Sequence, residues 1–99
     1  MSFLDVLLGI KTYPTTQKLL SEEEIEDLVS ISSISSLTSQ EAKTVQHAIA
    51  ERRLGDGRIS LSQIDETLRS LERQKKMSIN DRRALMKIFE KFFQEKSQP

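Results

Sequence analysis

The stretch "ISLSQIDETLRSL", Ile59 to Leu71, decides the fold. Ser60 stands three positions before Gln63. In that spacing a hydroxyl accepts a backbone N–H at a helix start while the later side chain reaches back to the cap. Ile59 before the cap and Ile64 beyond it form the apolar pair that staples the entering chain. Further on, Leu61, Ile64, Leu68 and Leu71 fall on one narrow stripe at helical period, with polar residues elsewhere. The stretch predicts a helix with one seam against one neighbour.

The same punctuation recurs outward in both directions. Ser2…Asp5, Ser21…Glu24, Thr38…Glu41 and Ser78…Asp81 repeat the cap spacing. Three of them also carry the staple: Met1 with Val6, Leu20 with Ile25, and Leu37 with Ala42. These starts agree with the apolar periodicity, Ala42, Val45 and Ile49 sharing one face of the third helix. Helices are therefore expected near 3–10, 22–35, 39–54, 61–75 and 79–96. No run alternates over enough residues to demand a strand, so the fold class is all-α, a compact bundle of four to five short helices. Pro14 breaks the chain between the first two helices and makes that segment a loop. "SISSISS", Ser30 to Ser36, is the weak point: its serines compete for their own backbone, so the second helix can end there in a 3₁₀ turn or a loop.

Ninety-nine residues suit one domain spanning 1–99, with a short helix and Pro-containing loop over 1–20 and a helical core over 21–96. Hydrophobic residues make up 36% and charged residues 30%, a globular composition on the polar side. The chain has no cysteine, which excludes disulfides, thiolate metal sites and cysteine nucleophiles and fits a cytoplasmic location. "MSFLDVLLGI" is apolar but far short of the roughly twenty residues a spanning helix needs, and it lacks the basic start of a signal peptide. It reads as a short helix closing over the core, with no membrane span. Net charge is zero, yet residues 1–50 hold 7 acids and 3 bases while residues 51–99 hold 8 acids and 12 bases. A chain polarised in this way can satisfy itself internally, pair head to tail with copies, or offer its basic half to an anion.

"LGDGRISLSQID", Leu54 to Asp65, resembles the second half of an EF-hand calcium loop and of the related dockerin repeat. Gly57 takes the turn position and Ile59 the apolar one after it. The resemblance then puts Arg52, Leu54, Asp56, the Arg58 carbonyl, Ser60 and Gln63 at the ligand positions. A working loop needs several carboxylates; here there is one, and an arginine stands first. A helix connection accounts for the residues without an ion: Gly55 ends the helix in the left-handed conformation, Asp56-Gly57 turns, Ile59 staples and Ser60 caps. No metal or cofactor is expected.

Catalysis has few candidates. His47, the one histidine, lies mid-helix with Lys43 and Glu51 four residues to either side, and no Ser or Asp is placed to complete a nucleophilic set. The acids of "SEEEIED" complement a helix dipole. The protein is expected not to be an enzyme.

Two binding surfaces remain. In "SINDRRALMKIFEKFFQEK" Ala84, Leu85, Ile88, Phe89 and Phe92 form the expected core stripe of the last helix. Met86 and Phe93 widen the apolar arc to about 200°, more than one seam covers. Either this helix is central in the bundle or part of the arc meets another chain. On the second reading Met86, Phe89, Phe92 and Phe93 contact a protein partner or a second copy, with Phe3 and Leu7 behind them. The expected function is a small non-catalytic interaction module: an adaptor, a chaperone-like protein or a regulator. The alternative is a nucleic-acid-binding regulator using Arg69, Arg73, Lys75, Lys76, Arg82, Arg83 and Lys87, although a pI near 6.6 is low for that class.

Overall fold

The computed structural model describes residues 12–30 and 34–96. They form four α-helices: α1 (Glu22–Ser30), α2 (Ser39–Arg52), α3 (Leu61–Arg73) and α4 (Ile79–Glu95). Two short strands, β1 (Gln17–Leu19) and β2 (Arg58–Ser60), complete the described chain. The fold is an all-α bundle with a small antiparallel ribbon. The helix expected over 3–10, with its cap at Ser2 and its staple of Met1 with Val6, lies outside the described residues.

Each described helix begins where a cap spacing places it. Ser21 N–H donates to Glu24 Oε1 at 2.9 Å, and Ser21 Oγ accepts from the Glu24 N–H at 3.0 Å. Thr38 and Glu41 exchange the same two bonds at 2.8 and 3.1 Å, as do Ser60 and Gln63 at 2.9 and 3.0 Å. Two orphan donors of each helix are satisfied in this way. At α4 only half the motif forms. Ser78 Oγ accepts from the Asp81 N–H at 3.1 Å, while the Asp81 carboxylate accepts from Ser36 Oγ.

Helix ends differ more from expectation. α1 is described as far as Ser30 and the chain is no longer helical at Ile34, one residue short of the expected end near 35, where the Leu37 N–H closes a turn on the Ile34 carbonyl at 3.0 Å. Ile34 and Leu37 still pack on the core without helix, so burial survives where the serines weaken helical propensity. Gly55 does not adopt the left-handed conformation; α2 ends on an extended Arg53, and Gly57 alone among the described glycines has positive φ, at 89°. Its N–H bonds Leu54 O at 2.8 Å, and Leu54 N–H bonds Arg58 O at 2.8 Å, giving a tight turn into β2. α3 ends without glycine: Lys75 takes φ 61°, and the N–H groups of Lys75 and Lys76 bond the carbonyls of Glu72 and Leu71. That is a Schellman closure built on a lysine.

The loop expected around Pro14 contains a strand. Gln17, Lys18 and Leu19 pair with Ser60, Ile59 and Arg58, and the Leu20 N–H continues the ladder to Gly57 O at 3.0 Å. Ser62 N–H reaches Pro14 O at 3.1 Å. The ribbon thus fastens the start of α1 to the start of α3.

α1 packs on α2, α2 on α3 and α3 on α4, with α1 also touching α4. Ile25, Val45, Ile49, Ile59, Ile64, Leu68, Leu85 and Phe89 fill the space between them. Among the described residues no helix is long and apolar enough to cross a membrane.

Candidate interaction surfaces

α4 packs on α3 and touches α1, and part of its wide apolar arc goes into the core between them. Met86, Phe89 and Phe93 are buried in the core, so they form no surface for a partner. The buried arc is rotated from the expected one: Leu85, Met86, Phe89 and Phe93 point inward, while Ala84, Ile88 and Phe92 are half-buried at its edge. Phe92 keeps an accessible rim with the Lys96 ammonium 4.9 Å from its ring centre. Phe3 and Leu7 lie outside the described residues.

The rotation follows from Arg82. The residue is 7% exposed at the α3–α4 seam, where Nε pairs with Glu72 and Nη1 stands 3.7 Å from Asp65 Oδ1. Asp65 accepts from Arg69 Nε at 2.8 Å through its other oxygen. Asp81, also buried, is held by Ser36 from the loop before α2. A guanidinium meets two carboxylates here because a lone buried charge would cost several kcal/mol, of order 3–5. Arg82 is therefore a structural cation rather than a nucleic-acid contact. Arg69 is tied to Asp65.

What α4 turns outward is basic. Arg83, Lys87 and Lys91 follow each other at four-residue spacing, all exposed, and among the described residues none makes an ion pair. Ile88 and Phe92 border this row, and Ile79, 40% exposed, lies one turn before Arg83. Arg73, Lys75 and Lys76 are exposed around the preceding turn. α1 turns outward the opposite charge. Glu22, Glu23, Glu26 and Asp27 are exposed, and among the described residues Glu22 alone of the four makes an ion pair, with Arg53 Nη2 at 3.4 Å. Sequence reasoning saw the charge division between the halves but not this partition by helix face, because it follows from which arc each helix buries.

Glu24, by contrast, faces inward from α1 to α4. Lys96 Nζ lies 3.0 and 3.2 Å from its two oxygens. Partial burial pushes the Glu24 carboxyl up, but the Ser21 N–H and the Lys96 ammonium outweigh it and hold the group below its ordinary range. At the other face of α4's last turns, Lys18 Nζ donates to Phe93 O at 2.7 Å.

The calcium-loop positions are occupied by the chain's own bonds. Asp56 accepts from the Arg58 N–H at 3.2 Å and pairs with Arg58 Nε at 3.2 Å. Ser60 and Gln63 are committed to the cap. Arg53, next to the turn, donates to Ala50 O at 3.1 Å and Leu20 O at 2.9 Å, bridging α2 to the start of α1. This arginine carried no sequence signal. Among the described residues no three His, Cys, Asp or Glu side chains group as a metal site. His47 is exposed on α2, 3.3 Å from Glu51, above an open groove also lined by Glu22, Glu26 and Lys43. Leu19 and Leu54, 49% and 46% exposed, flank the Gly57 turn.

No family model, no curated protein and no solved structure matches this chain, so its surfaces are interpreted from their own chemistry.

Proposed function

We propose that this protein is a small non-catalytic interaction module that binds through the outward face of α4. The observation that carries this is the row Arg83, Lys87 and Lys91, without an ion pair among the described residues and bordered by the half-buried Ile88 and Phe92. Cations beside an accessible apolar edge suit a partner that offers carboxylates around an apolar contact. Of the apolar residues expected to make the contact, Met86, Phe89 and Phe93 are core; the basic row, with Phe92 at its border, takes their place in the reading.

A photo-reactive residue placed at Lys87 in the full chain, in cells, tests it. Discrete adducts from Lys87, absent when the same residue replaces exposed Lys43, are the expected result. Adducts absent at both positions, or identical at both, would remove the reading.

Arg73, Lys75, Lys76, Arg83 and Lys87, all exposed and without carboxylate partners among the described residues, favour one second reading, contact with nucleic-acid phosphates. With Arg82 and Arg69 engaged elsewhere, five cations remain from the original seven. Five phosphate contacts would give a log–log salt slope of about −4.5 on duplex DNA. Binding that is absent at low salt, or flat with salt, rejects this reading.

A further inference from the structure

We infer that the basic face of α4 docks on the acidic face of α1 of a second copy of this chain. The inference rests on the α4 face being the contact surface and names its occupant. The argument is complementarity within one molecule. Arg83, Lys87 and Lys91 present cations at four-residue intervals, and Glu23 and Asp27, with Glu26 between them, present carboxylates at the same interval. One such interval advances about 6 Å along either helix, so the two rows keep step when the helices lie side by side. Among the described residues neither row is neutralised: Glu23, Glu26 and Asp27 have no cation within ion-pair distance, and Arg83, Lys87 and Lys91 have no carboxylate. Glu90, half-buried on the basic side, leaves that face with a net positive charge.

The two faces cannot meet within one molecule, because α1 and α4 already touch through their inner sides, with Lys96 on Glu24 between them. Every copy carries both faces in equal number. The contact is therefore between unlike surfaces; it closes as a reciprocal pair or continues as a chain. The apolar edge beside the basic row, Ile88 and Phe92, adds contact area that pure charge attraction lacks.

Sedimentation equilibrium on the full chain reads the result, at about 10 mM and about 1 M salt, where screening lengths are roughly 30 Å and 3 Å. Nuclease-treated protein is expected to exceed the monomer mass at low salt and fall to it at high salt. Lys87→Glu with Lys91→Glu should be monomeric at low salt, as should Glu23→Lys with Asp27→Lys. An equimolar mixture of the two reversed proteins should regain mass, since each then carries the face that the other lacks. All four positions are exposed, and circular dichroism matching wild type shows that folding is intact; Lys87→Gln with Lys91→Gln gives a milder version of the same loss. A wild-type monomer at low salt overturns the inference, as does association that ignores the reversals or a mixture that stays monomeric. Excess mass that disappears on nuclease treatment overturns it in favour of nucleic acid. A Lys87 photo-adduct with a different protein keeps the module reading and overturns self-docking.

Discussion

At the scale of single residues, long side chains stitch the helices together where the apolar core stops. Arg53 is the clearest case. Its guanidinium satisfies a carbonyl at the end of its own helix and the Leu20 carbonyl just before α1. Arg53→Ala leaves the Leu20 oxygen without that donor and should lower unfolding stability by about 1–3 kcal/mol. Arg53→Lys restores one charge but not the fork and should recover less than the full amount. Urea denaturation decides; a loss under a few tenths of a kcal/mol for Arg53→Ala would show that the bridge does not matter. Glu24 gives the pH counterpart. Its carboxyl is held below the ordinary range in the folded state, so between the folded and unfolded values the unfolded chain binds more protons and stability rises with pH. The contribution is complete above the unfolded value, near 4.3, and is lost as pH falls through the folded one. Glu24→Gln should accordingly cost stability at about pH 7 and progressively less toward about pH 3. A gap between variant and wild type that stays constant over that range contradicts the assignment.

At the scale of elements, the helix starts and the buried faces of α2 and α3 were legible in the sequence, and the face of α4 was not. A cap is a local contract between residues three apart, and Ser21, Thr38, Ser60 and Ser78 each hold theirs. β1 escaped because three residues show no alternation, and its partner lies some forty residues on. α4 was misphased for a different reason: periodicity finds an apolar arc but cannot see that a cation, Arg82, belongs near its centre. Once Arg82 faces Glu72 and Asp65, the arc turns Met86 and Phe93 inward and leaves Phe92 at the edge. This arrangement makes a contrast that can be measured. Arg82→Ala should cost toward the lower end of about 3–5 kcal/mol by removing the cation from Glu72 and leaving Asp65 to Arg69 alone, since Glu72 is partly exposed and can rehydrate. Phe89→Ala should cost about 3–5 kcal/mol by opening a cavity, whereas Phe92→Ala should cost clearly less. Equal costs at Phe89 and Phe92 would return the arc to its unrotated phase.

At the scale of the whole molecule, neither half of the described chain encloses a core of its own. Ile25, Val45 and Ile49 come from before the Gly57 turn, and Ile59, Ile64, Leu68, Leu85 and Phe89 from after it, yet they form one cluster. The ribbon straddles that division, and the halves carry opposite net charge. Small pieces bury too little surface to offset the entropy of ordering, and the pieces 1–55 and 56–99 fall in the marginal range of about 40–60 residues. Made separately, each should therefore show weak helical circular dichroism. Mixed, they should gain helix beyond the sum of their separate spectra, because α2 then finds α3 and β1 finds β2. Salt should slow the reassembly by screening the attraction between the halves while leaving the apolar contacts in place. If either piece alone is as helical as its share of the intact chain, the bundle is two independent units. The ribbon and the α2–α3 seam would then be contacts between those units rather than parts of one core.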